Sequence, residues 1–119
     1  MRNMIMALIA LAALVSPLLT VPLLADDSVT EVNIVEPPFQ SPQQWTYDPN
    51  DVTVSVDTTV MWTNTGAVAH TVTSDDGASF DSDTLDPRAA FTFTADTPGT
   101  FTYHCTFHPW MTGSLTVTS

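Results

Sequence analysis

From residue 26 onward, apolar side chains recur in short runs at every second position, and no stretch carries them at helical spacing. Val52, Val54 and Val56 alternate with Thr53 and Ser55, the period of a strand that buries one face. Runs rich in Val, Thr and aromatic residues predict strands over 30–35, 52–56, 59–64, 70–73, 90–94, 99–105 and 114–118. Turn chemistry separates them: Glu36-Pro37-Pro38, Asp48-Pro49-Asn50, Asn64-Thr65-Gly66, Asp75-Asp76-Gly77, Asp86-Pro87 and Thr97-Pro98-Gly99. Residues 37–47 and 75–87 are the least regular and read as loops. Short strands with frequent turns predict an all-β sandwich. Trp45, Trp62, Phe91, Phe93 and Phe101 are expected in its core.

The N-terminal pattern is different. Arg2 precedes an apolar run that continues, interrupted by Pro17 and Pro22, to Leu24 and Ala25. This is the pattern of a secretory signal peptide over residues 1–25, with Ala25 as a small residue at the cleavage site. The run is also about long enough to serve as an uncleaved N-terminal anchor. Either way the expectation is export, to the periplasm or the outer face of the cytoplasmic membrane, with one domain over 26–119.

Charge narrows the partners. All 13 acidic residues lie after residue 25, where Arg88 is the only Lys or Arg, and the whole chain carries −11 at pH 7. A field of that sign repels nucleic acid and anionic membranes and favours partners with cationic docking surfaces. Solubility or adaptation to high salt explains the same charge equally well.

Cys105 is the sole cysteine, whereas exported domains stapled by disulfides carry an even number. An unpaired thiol in an oxidising compartment needs burial, a partner chain or a metal. It stands in Cys105-Thr106-Phe107-His108-Pro109-Trp110-Met111, a Cys-x2-His-x2-Met arrangement. These side chains cannot share one strand face, but a loop bent at Pro109 and Gly113 can present thiolate, imidazole and thioether to one ion. Soft sulfur with imidazole selects copper over magnesium, calcium or manganese, and a His2Cys site with a weak axial Met belongs to copper electron carriers. Of the two histidines left, His104 adjoins Cys105 on the same strand and should point the other way, so His70 is assigned as the fourth ligand. The expected metal site is therefore His70, Cys105, His108 and Met111.

The chain resembles the cupredoxins, small type 1 blue copper proteins, and within them amicyanin and the plastocyanins. Two blocks carry the resemblance: Val60-Met61-Trp62-Thr63-Asn64 followed by His70, and Gly99-Thr100-Phe101-Thr102-Tyr103-His104-Cys105-Thr106-Phe107-His108-Pro109-Trp110-Met111 leading to Gly113 and Val117. The two-residue gap before Met111 is similar to amicyanin, whereas the acidic, lysine-free composition is similar to the halocyanins. The resemblance implies a Greek-key β-sandwich of seven to eight strands. It also implies one copper ion, an electron exit at the edge of His108, and an apolar docking patch for which Trp110 and Phe107 are candidates. Two positions depart from the family. Thr71 stands where Asn often ties the two ligand loops, so its hydroxyl is expected to substitute. Phe107 stands where Pro is common, and keeps an N–H that can point at the Cys105 sulfur.

The function expected is single-electron transport between redox proteins, such as a c-type cytochrome or a dehydrogenase, by a monomer with no small-molecule substrate and no enzyme activity of its own. A copper-delivery protein using the same ligands is the alternative. Behind it stand a zinc site and an unmetallated adhesion-type sandwich. A catalytic thiol is weakest, since no carboxylate or amide partner is placed to orient a histidine base. The carboxylates Asp75, Asp76, Asp81, Asp83 and Asp86 do not follow the order of an EF-hand loop.

Overall fold

The computed structural model describes residues 28–119. The expected export segment, residues 1–25, lies outside the described residues. Eight strands form two four-stranded sheets: β1 (Val29–Val35), β2 (Thr46–Asp48), β3 (Asp51–Ser55), β4 (Thr59–Asn64), β5 (Thr73–Ser74), β6 (Ala90–Thr94), β7 (Gly99–His104) and β8 (Thr112–Thr118). One sheet runs β2-β1-β4-β6 and the other β3-β8-β7-β5. Within them β1 pairs in parallel with β4, and β3 with β8; the remaining pairs are antiparallel. The only helical element among the described residues is a single 3-10 turn, Pro42–Gln44.

Alternation decides which side chains meet between the sheets. Val60, Trp62 and Asn64 of β4 point inward with Val32 and Ile34 of β1, and face Gly113, Leu115 and Val117 of β8. Trp62 is fully buried; its indole N–H donates to the Tyr103 hydroxyl at 3.2 Å, and the two rings cross at 84°. Gly113 admits that tyrosine, because a Cβ there would stand 2.5 Å from Tyr103 Cζ. Tyr47 packs edge-on to Tyr103, and its hydroxyl donates to the Thr71 carbonyl at 2.7 Å. The core thus reaches the segment that carries His70.

Three expectations are corrected. The strand expected over 70–73 is reduced to an isolated bridge between His70 and Leu85, with β5 beginning only at Thr73. The cause is local: the Thr71 N–H donates to Cys105 Sγ and the Val72 N–H to Ser82 Oγ, so neither is free for a neighbouring strand. The loop expected over 37–47 ends in β2, which pairs with β1 from Asn33↔Asp48 to Val35↔Thr46. Finally, Trp45, Phe91, Phe93 and Phe101 are only partly buried, at the margin of the core that Trp62 occupies.

Candidate metal centre

Two loops at one end of the sandwich build the site. Between β7 and β8 the chain runs Cys105 to Met111 as a closed turn: Cys105 N–H donates to the Met111 carbonyl at 3.1 Å, His108 N–H to Cys105 at 3.2 Å, and Met111 N–H to His108 at 2.8 Å. The second loop leaves β4 at Asn64. There the Asn64 amide donates to the carbonyls of Val68 and Leu85 while its oxygen accepts the Gly66 N–H, fixing the approach to His70.

These loops bring His70 Nδ1 to 3.8 Å and His108 Nδ1 to 3.5 Å from Cys105 Sγ. The three ligand atoms lie within 4.8 Å of one another. Cys105 and His70 are buried, and Met111, two residues before the buried Gly113, is 1 % exposed. His108 is half-buried and is the most open member of the set. His104 does not join them: its Nδ1 lies 2.5 Å from Asp75 on the outer face.

Burial of the Cys105 thiol raises its pKa. Hydrogen bonds from His70, the Thr71 N–H, His108 and the Phe107 N–H outweigh that effect and bring it down to about 6. The sulfur is therefore held as a thiolate at neutral pH, the form that binds metal. Burial would lower the pKa of His70, but Cys105 and Glu36 together hold it above the ordinary histidine value. The soft donor set and its close spacing fit copper, with a thiolate and two imidazole nitrogens already converging.

Thr71 does what its position demands. Its Oγ1 accepts the Thr106 N–H at 2.9 Å, joining the two ligand loops, while its N–H donates to the sulfur at 3.3 Å. Trp45 crosses both histidine rings nearly at right angles, at 5.6 Å from His70 and 5.0 Å from His108. Read from sequence as core, it is instead a wall of the site. The Pro42 carbonyl accepts both the Trp45 N–H and the Trp110 indole N–H, which clips the segment before β2 onto the ligand loop. Phe107 and Trp110 are 50 % and 43 % exposed, so both flank His108 at the surface rather than filling the sandwich end.

Sequence reasoning missed Glu36. Its Oε2 lies 2.7 Å from His70 Nε2, and Ala67 and Val68 donate their N–H groups to the same carboxylate. Burial raises its pKa, but the hydrogen bonds from Ala67, His70 and Val68 prevail and hold it below the usual carboxylate range. Glu36-Pro37-Pro38 reads locally as a turn, and nothing nearby in the sequence marks the glutamate as a neighbour of His70.

Comparison with known proteins agrees with this geometry. The family model of the cupredoxin-like domain matches residues 4–117. Amicyanin-alpha of Methylorubrum extorquens is 35 % identical over 92 residues, which span 74 % of this chain and 71 % of that protein. Among solved structures, a purple cupredoxin from Nitrosopumilus maritimus superposes with a TM-score of 0.66 at 30 % identity, covering 75 % of this chain and 99 % of that one. The Cu(I) form of an amicyanin variant superposes with a TM-score of 0.64 at 27 % identity, covering 79 % and 85 %. The chain belongs to the cupredoxins, and copper is the cofactor that its donor set and its relatives share.

Proposed function

We infer that this cupredoxin is an exported single-electron carrier whose copper is held by His70, Cys105, His108 and Met111. The observation that carries the reading is the convergence of His70 Nδ1, His108 Nδ1 and Cys105 Sγ beside the buried Met111. Bound copper supplies the one-electron Cu(II)/Cu(I) couple. The protein's part is to hold its ligands still. Thr71 ties the two loops, the Cys105–Met111 turn is closed by its own backbone, and Trp45 braces both imidazoles. Side chains so restrained change little between oxidation states, and small rearrangement favours fast transfer. With four side chains assigned to the ion, no position is set aside for a substrate, which favours a carrier over an enzyme.

The half-buried edge of His108, flanked by exposed Phe107 and Trp110, is the exit we assign to the electron. The partners proposed are redox proteins with cationic docking surfaces, of the c-type cytochrome or dehydrogenase kind, met in the periplasm or at the outer face of the cytoplasmic membrane.

Copper addition is expected to produce an intense visible thiolate-to-Cu(II) band and a reversible one-electron wave, and Cys105→Ser should abolish the band. Copper binding without a reversible wave would turn the reading toward copper delivery. A protein that binds zinc and never develops the band would overturn it.

A further inference from the structure

Glu36 belongs to none of the ligand loops, yet the fold delivers it to the outer nitrogen of His70. The parallel register that pairs Ile34 with Asn64 carries the chain on to Glu36 on one side and Gly66 on the other, each two residues beyond its pair. There the fit is close: a Cβ on Gly66 would stand 2.2 Å from Glu36 Oε2. The absence of a side chain at residue 66 is what admits the carboxylate. Three donors then hold it, the Ala67 N–H at 2.9 Å on Oε1, and the Val68 N–H at 3.1 Å and His70 Nε2 at 2.7 Å on Oε2. Its side chain is 12 % exposed.

We propose that Glu36 is a positioning residue for the copper centre, fixing the orientation and tautomer of His70 and biasing the site toward Cu(II). When copper takes the place of the proton that Nδ1 shares with the Cys105 sulfur, Glu36 keeps the remaining proton on Nε2 and so leaves the Nδ1 lone pair facing Cys105 and His108. A carboxylate behind a ligating histidine makes it a stronger donor and adds negative charge near the ion, both of which favour the more highly charged oxidation state. This inference rests on the copper-carrier reading above.

Three variants separate orientation from charge in the full-length, copper-loaded protein. Glu36→Gln keeps an acceptor for His70 but removes the charge. Glu36→Ala removes both, and Gly66→Ala leaves the glutamate in the chain while occupying its place. The readouts are the reduction potential by voltammetry, the Cu(II) affinity by chelator competition, and the visible spectrum. The potential should rise in all three. Cu(II) affinity should fall about 10- to 100-fold in Glu36→Ala, with a smaller loss in Glu36→Gln. If far-UV circular dichroism shows one variant unfolded, the other two decide. Wild-type potential and affinity in folded Glu36→Ala and Gly66→Ala, beside a wild-type protein with a normal band and wave, would overturn the role of Glu36 alone. A wild-type protein lacking the band would overturn the carrier reading and this proposal together.

Discussion

Hydrogen bonds of opposite effect meet at the ligand side chains. The Phe107 N–H and the Thr71 N–H both point at the Cys105 sulfur, draining electron density from the thiolate. That favours Cu(I), in which the sulfur carries more of its own negative charge. Glu36 works the other way through His70. Phe107→Pro deletes one donor to sulfur while leaving the ligands in place, so its reduction potential should fall, opposite in sign to the shift expected for Glu36→Gln. Voltammetry of the two variants checks both signs, and an unchanged Phe107→Pro potential would count against the hydrogen bond. Thr71 shows how little side chain the loop junction needs: one hydroxyl takes the Thr106 N–H that a longer amide would otherwise reach.

At the scale of elements, the segment between β5 and β6 is held by local polar contacts as well as by its few buried side chains. Asp76 accepts the N–H groups of Ala78 and Ser79 and the hydroxyls of Ser74 and Ser79, closing the turn after β5. The hydroxyl and N–H of Ser79 are the foremost causes of its lowered pKa. A carboxyl whose pKa is lower folded than unfolded contributes stability above the unfolded value of about 4, and loses it as pH falls toward the folded one. The Tm advantage of the wild type over Asp76→Asn should therefore be present at neutral pH and shrink in acid below that value; an advantage that persists in acid would locate the effect elsewhere. Strands β3, β4 and β8 were legible in the sequence because each alternates over five or more residues with one buried face. Strand β2 was not, being three residues long and defined by its pairing with β1. The expected strand at His70 failed because a sulfur and a serine hydroxyl capture its N–H groups. The residues proposed as ligands were singled out by spacing within one loop and alternation around Cys105, and the fold brings His70, Cys105 and His108 together. Glu36 and Trp45 were not so marked, since each reaches the site through pairing between segments far apart in the chain.

For the whole molecule the governing quantity is charge, −11 at pH 7 with Arg2 and Arg88 the only Lys or Arg. If that field steers partners, the second-order rate constant for electron exchange with a cationic cytochrome should drop steeply as ionic strength rises from about 10 mM to about 200 mM. Stopped-flow measurement across that range checks it, and a flat profile would assign the charge to solubility instead. Another consequence belongs to the closed turn between β7 and β8. Its hydrogen bonds begin where the ladder ends, at the pair His104↔Thr112, so the turn closes on its own bonds and takes none from the ladder. Metal chemistry and scaffold are in this sense separable inheritances. A variant with residues 105–111 lengthened or shortened is therefore expected to keep the β7–β8 register, so that the donor set could be exchanged without the sandwich being folded anew.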